Sequence, residues 1–201
     1  MKKWLSIGLL ALGLSLFGHG AYMQAKAWLA QVLIEQAWQT TLKSPNKKIK
    51  PWFYADSYPV AQIIWPKHSK RLTVLEGASG RNLAFAPSHF LPAGDLGGAD
   101  FGNSQGALIA GHNDTHFAFL KNAKVGEQFS LQLKNGQVQH YSVTHVEVIH
   151  QHNTDFLQQS GLYLLTCYPF DSLASGTDLR WLVSAEISSP EVELGISTTS
   201  S

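Results

Sequence analysis

Leu162-Tyr163-Leu164-Leu165-Thr166-Cys167-Tyr168-Pro169 is the stretch on which the reading of this chain turns. It reads as a short strand from Leu162 to Cys167, and Tyr168-Pro169 stops it. Cys167, the single cysteine of the chain, therefore stands at a strand's end where a loop begins. A strand holds such a residue rigidly, and the loop leaves it reachable. A lone cysteine is more often a buried, inert, small hydrophobe, but that role fits the middle of a strand better than its exit. A free thiol has a pKa of about 8.5, so a nucleophilic cysteine needs a histidine or a cation beside it to ionise near neutral pH.

Two other segments offer such groups. Asp178-Leu179-Arg180-Trp181-Leu182-Val183 reads as the next strand, with Arg180 among apolar residues. A cation there is costly unless it has a partner or a task. A salt bridge to Asp178 or Asp171 is the structural explanation. If the two strands pair, Arg180 lies beside Cys167 and can donate to an oxyanion formed in acyl transfer. The second segment is Ala107-Leu108-Ile109-Ala110-Gly111-His112, a buried strand that ends in glycine and then histidine. That context separates His112 from the other histidines of the chain. His112 and His116 have the spacing of a metal pair on a helix, but a strand precedes them and no HExxH glutamate lies between them. His140, His145, His150 and His152 match no zinc pattern, so no metal site is expected.

Further out, Val60–Trp65, Leu72–Glu76, Asn82–Phe85, Phe129–Leu133, Val138–Ile149 and Leu179–Glu186 complete a set of short strands. Asn135-Gly136 supplies a two-residue hairpin turn, because both residues tolerate positive φ. The apolar phase shifts between Val143 and Val146, which predicts a bulge near Thr144 and His145. About eight short strands with few helices indicate an all-β barrel or sandwich.

The N-terminus differs in kind. Lys2 and Lys3 precede an apolar run from Trp4 to Phe17, as in an export signal. Extended through Met23 it reaches the roughly 20 residues of a membrane helix, with the lysine pair on the cytoplasmic side. A retained anchor is favoured over a cleaved signal, since no clean A-x-A site follows. The expected organisation is an anchor or signal segment over 1–22, a helix and linker over 23–50 and a β-barrel over 51–188. A Ser/Thr-rich tail that frays covers 189–201. Of the 201 residues, 44% are hydrophobic and 14% charged, a folded composition. A formal net charge of +1 gives no reason to expect nucleic acid.

In the order His112, Cys167, Arg180, these elements resemble the sortase family of cysteine transpeptidases over about residues 51–187. Tyr163-Leu164-Leu165-Thr166-Cys167 is similar to the family's T-L-x-T-C, with Tyr163 in place of threonine. Gly111-His112-Asn113-Asp114-Thr115-His116-Phe117 is similar to G-H-R-D-T-x-F, with Asn113 in place of arginine. Val74-Leu75-Glu76-Gly77-Ala78-Ser79-Gly80 and Thr166-Cys167-Tyr168-Pro169-Phe170-Asp171 look like the sortases of Gram-negative bacteria, class GN. The resemblance implies a mainly β fold, a closed eight-stranded barrel carrying an N-terminal membrane helix and a following helix, and no organic cofactor. It implies a thiol protease of the hydrolase class that cleaves an LPxTG-like C-terminal signal between Thr and Gly. Cys167 would be the nucleophile, His112 the acid/base and Arg180 the oxyanion stabiliser. Thr166 would help shape the substrate site, or simply fill the strand.

Implied partners are a membrane-anchored substrate protein and an amine acceptor at the inner membrane, with the catalytic domain on the periplasmic side. Calcium, which some sortases bind, lacks a loop pattern here; Asp95, Asp100 and Asp114 are the available carboxylates. Two other functions compete. An L,D-transpeptidase would carry an S-H-G-C signature, which is absent. A non-catalytic periplasmic binding module would bury Cys167 and salt-bridge Arg180.

Overall fold

The computed structural model describes residues 2–94, 96, 106–171 and 176–188. The Ser/Thr-rich tail over 189–201 lies outside them, as do Asp95 and Asp100. The strands are β1 (Pro59–Trp65), β2 (Lys70–Glu76), β3 (Ser88–His89), β4 (Ala107–Ala110), β5 (Gln128–Leu133), β6 (Val138–His150), β7 (Leu162–Tyr168) and β8 (Leu179–Ile187). They close into an eight-stranded barrel in the order β1-β2-β3-β4-β7-β8-β6-β5, with β5 paired back to β1. Two neighbouring pairs are parallel, β2 with β3 and β4 with β7.

Alternation along each strand sends one set of side chains inward and the other outward. Ile63, Trp65, Val74, Ile109, Leu131, Leu162, Leu164 and Val183 fill the barrel. Burying each such side chain contributes about 1.5–3 kcal/mol. Some outward residues of β4, β6, β7 and β8 are apolar too. Leu108, Ile149, Tyr163 and Leu182 form a separate cluster against Phe156, Leu157 and Leu165. It is partly covered by the 3-10 turn Asp155–Gln158. Two covered faces explain why β4 reads as an unbroken apolar run.

The bulge on β6 occurs where the phase shift places it, as a register break between Val143 and His145 against β8. Asn82–Phe85 is not a strand. Ser79 caps a short helix, α2 (Gly80–Leu83), by accepting from the Asn82 N–H, and the strand forms later at Ser88–His89. The Asn82 side chain donates to the carbonyls of Glu76 and Gly77, a local bonding pattern that favours a turn over a ladder. In the hairpin after β5 only Gly136 takes positive φ, +86°. Asn135 instead accepts the Gln137 N–H on its side chain, so the connection is longer than the expected two-residue turn.

The N-terminal residues form one helix, α1 (Lys2–Lys43). Its C-terminal half docks on the barrel through Ile34, Ala37, Trp38 and Thr41, all buried. Glu35 joins the dock, with Oε2 accepting from Gln62 Nε2 at 3.1 Å and Thr73 Oγ1 at 3.2 Å. The N-terminal half is different. Trp4, Leu9, Leu10, Leu12, Leu16 and Phe17 are all exposed, and helical spacing spreads them over every side. Among the described residues no helix is long and apolar enough to cross a membrane, so the expected membrane-spanning helix is not supported.

Candidate active site

Strand β8 pairs antiparallel with β7, and Cys167 stands directly opposite Arg180. Side chains of directly opposed residues leave the sheet on the same face. Leu162 and Leu164 point into the barrel, whereas Tyr163 and Leu165 belong to the outer cluster. Alternation therefore turns Cys167 and Arg180 outward, where Cys167 is exposed and Arg180 half-buried.

His112 approaches from the other flank. The parallel ladder pairs Ala110 with Leu165 and continues through a bond from the Gly111 N–H to the Leu165 carbonyl at 3.1 Å. In that register His112, two residues beyond Ala110, comes level with Cys167, two beyond Leu165. The neighbouring contacts fix this loop. Thr166 Oγ1 donates to the Gly111 carbonyl at 2.7 Å. Asn113 Nδ2 donates to the Pro169 carbonyl at 3.1 Å, and the Phe117 N–H returns to the His112 carbonyl at 3.0 Å. Glycine is required at 111, because a Cβ there would meet the Phe117 ring at 2.8 Å. The His112 loop is thus tied to β7 on both sides of Cys167.

His116, on the same loop, has its pKa lowered from 6.5, first by burial and then by the neighbouring His112, with Lys70 adding to it and Asp114 opposing it. His116 is thereby kept neutral beside the more exposed His112. Thr166 itself is buried with its hydroxyl committed to Gly111, so it fastens two elements of the site together.

Arg180 makes no ion pair among the described residues. Its Nη1 donates to the carbonyls of Thr177 at 2.5 Å and Leu179 at 2.8 Å. Its Nη2 donates to Gln151 Oε1 at 2.8 Å. The salt bridge to Asp178 or Asp171 that would have given Arg180 a structural role is not formed. No three His, Cys, Asp or Glu side chains converge as metal ligands among the described residues.

A groove of about 560 Å³ runs along the outer face from Arg180, floored by Leu108, Ala110 and Leu165 and flanked by Phe90, Phe156 and Leu157. It is mostly apolar, and Arg180 and Gln151 are among its polar lining residues. An extended chain lying there would pass over apolar walls to the Arg180 cation, whose cross-strand neighbour is Cys167. That arrangement can bind a peptide and present one carbonyl to a nucleophile. Gln151 and Asn113, both bonded within the site, carried no sequence signal of a role. Gln151 sits among loop histidines, and Asn113 stood out only as a departure from the expected arginine.

The Sortase domain family profile matches residues 63–188 of the chain. Among solved structures, a Clostridium perfringens sortase D5 transpeptidase superposes with a TM-score of 0.60 at 18% identity, covering 80% of this chain and 99% of that one. Sortase C-1 of Streptococcus pneumoniae is 26% identical with a TM-score of 0.56, covering 64% and 66%. A Clostridium perfringens sortase C solved with the C-terminal cell wall sorting motif is 18% identical with a TM-score of 0.57, covering 82% and 90%. No curated protein matches the sequence.

Proposed function

This chain belongs to the sortase family, and from that premise we propose that it cleaves an LPxTG-like C-terminal signal and transfers the acyl group to an amine. The observation that carries the reading is the cross-strand pair of Cys167 and Arg180, of which Arg180 lines an apolar groove, with the tethered His112 loop on the other side of β7. The Leu-Pro side of the signal suits the groove between Leu108, Leu165 and Phe156. That a sortase C has been solved with a sorting motif makes the same ligand class reasonable here.

In the proposed cycle the Cys167 thiolate attacks the Thr carbonyl carbon of the signal. The tetrahedral oxyanion accepts hydrogen bonds from Arg180, whose contacts among the described residues are neutral and exchangeable. His112, level with the thiol on its other flank, protonates the leaving Gly amine as the thioester forms. It then takes a proton from the incoming amine, which displaces Cys167 as the thiolate and returns the pair to its starting state. Water in place of the amine gives hydrolysis, the reaction of the thiol protease class. Thr166 contributes by holding the His112 loop to β7.

We further propose that the chain works at the inner membrane with the barrel on the periplasmic side, closest in kind to the class GN sortases. Support comes from Lys2 and Lys3 ahead of the run and from the exposed apolar residues on every side of the first half of α1. Such a surface is unfavourable in water and compatible with lipid. Tethering the substrate protein to the same membrane would raise effective concentrations to about millimolar. Carbonate extraction of membranes tests the attachment, and recovery of the full chain in the soluble fraction overturns it.

The chemistry is tested by incubating the protein with an LPxTG-like peptide and a small amine and recording intact masses. A thioester adduct with cleavage between Thr and Gly, both lost in Cys167→Ala, is the expected result. An unmodified, fully active Cys167→Ala protein would refute the assignment. Intact peptides across a panel of sorting signals would favour a non-catalytic binding module.

A further inference from the structure

Arg180 is a half-buried cation whose hydrogen-bond partners among the described residues are all neutral, although a carboxylate stands on the same segment. Asp178 and Arg180 are two residues apart and share a face where β8 begins. A guanidinium and a carboxylate so placed ordinarily form a charge-assisted, often bidentate pair. Here that pair is not made, because the Asp178 Oδ1 accepts from Gln151 Nε2 at 2.7 Å. The Gln151 backbone N–H also donates to the Asp178 carbonyl at 2.7 Å, which holds the loop and the strand in register.

The Gln151 amide has the chemistry this position requires. An ionised carboxylate only accepts and a guanidinium only donates. A group lodged between them must donate at one end and accept at the other, and the two partners together fix which way the amide faces. The guanidinium already reaches the Thr177 and Leu179 carbonyls on either side of Asp178, and a direct pair with that carboxylate would cancel much of its field at Cys167. A neutral amide leaves the net charge of Arg180 uncompensated.

We propose that Gln151 is a positioning residue for Arg180, a neutral spacer that keeps Asp178 from capturing the guanidinium and leaves its charge available at Cys167. The proposal rests on the transpeptidase reading for its consequence in catalysis, whereas its electrostatic consequence can be read from the thiol alone.

The test uses the full chain as wild type, Gln151→Ala and Gln151→Ala/Asp178→Asn, with two readouts. One is kcat and KM on a sorting peptide. The other is the ratio of Cys167 alkylation rates with iodoacetate and iodoacetamide at one pH, which reports the local potential because only the first reagent is an anion. Gln151→Ala is expected to lower kcat about 10-fold with KM within about 2-fold, and to lower the alkylation ratio about 3-fold. Removing the competing carboxylate in the double variant restores most of both, the non-additivity expected of coupled groups. A wild-type alkylation ratio in Gln151→Ala overturns the proposal, as does a loss that Asp178→Asn leaves unrepaired. If the wild-type chain cleaves no sorting peptide, the transpeptidase reading fails, and the alkylation ratios still decide the role of Gln151.

Discussion

Glu127 and Arg180 are both charged groups withdrawn from water on the same barrel, and the fold treats them in opposite ways. The Glu127 side chain is 3% exposed and is closed by two partners, the Lys67 ammonium at 2.9 Å and His68 Nε2 at 2.8 Å. Burial pushes its pKa up, but the hydrogen bonds from Lys67 and His68 outweigh burial and hold it below 4.5. Around it, Trp65 stacks on Phe129 and lies edge-on to Phe119 and His68. Arg180 is less buried, has no counter-ion among the described residues and faces a groove. A compensated charge has little left to offer a ligand, whereas a cation held by neutral acceptors keeps its field for whatever enters. The contrast accords with a structural role for the first site and with the function proposed for the second.

The largest effect expected at the functional site is from Cys167→Ala, which should abolish thioester formation and peptide cleavage while leaving the melting temperature near wild type, since the thiol is exposed. Arg180→Ala should lower kcat by about 10²–10³, the usual loss for an oxyanion donor, again with little change in stability. A large stability loss without a kcat effect would place Arg180 with Glu127 and break the comparison.

Glu127→Gln should do the reverse. Weakening a buried charged hydrogen-bond set costs about 1–3 kcal/mol, or a fall of about 2–12 °C in melting temperature for a chain of this size. Activity per folded molecule should stay at wild type. Thr166→Val sharpens the comparison, because it keeps the strand's shape and removes only the bond to Gly111. It should cost about 1 kcal/mol of stability and lower kcat severalfold through a looser His112 loop. An unchanged kcat would show that the backbone bonds hold the loop alone.

The smallest effect is in pH dependence. His116 has a folded pKa below 6.5, so the unfolded chain takes the proton first. Stability from this group is complete above pH 6.5 and declines as pH falls through 6.5 towards the folded value. Glu127, with a folded pKa below 4.5, adds a second loss that begins only as pH falls below about 4.5. Denaturant midpoints against pH should lose the upper step in His116→Asn and the lower step in Glu127→Gln. If His116→Asn leaves the upper step in place, another group carries it.

Much of the barrel and part of the candidate site were legible in the residues. The continuous apolar run Ala107–Ala110 marks a strand covered on both faces, with Ala107 and Ile109 in the barrel and Leu108 in the outer cluster. The phase shift near Thr144 marked the β6 bulge. Strand ends singled out Cys167 and His112, and an arginine among apolar neighbours singled out Arg180. Asn82–Phe85 was misread because its β-like composition gave no weight to the Ser79 cap or to the Asn82 side chain.

The sequence by itself determined the strand pattern, the lone thiol at a strand exit and the order of His112, Cys167 and Arg180, because alternation and strand punctuation are local properties of the chain. Only the tertiary structure decided that Cys167 and Arg180 are directly opposed, that His112 comes level with them from a parallel neighbour, and that Gln151 stands between Arg180 and Asp178. Register and loop contacts join residues far apart in the chain, and they are set by how the whole barrel closes and packs, which no single segment encodes.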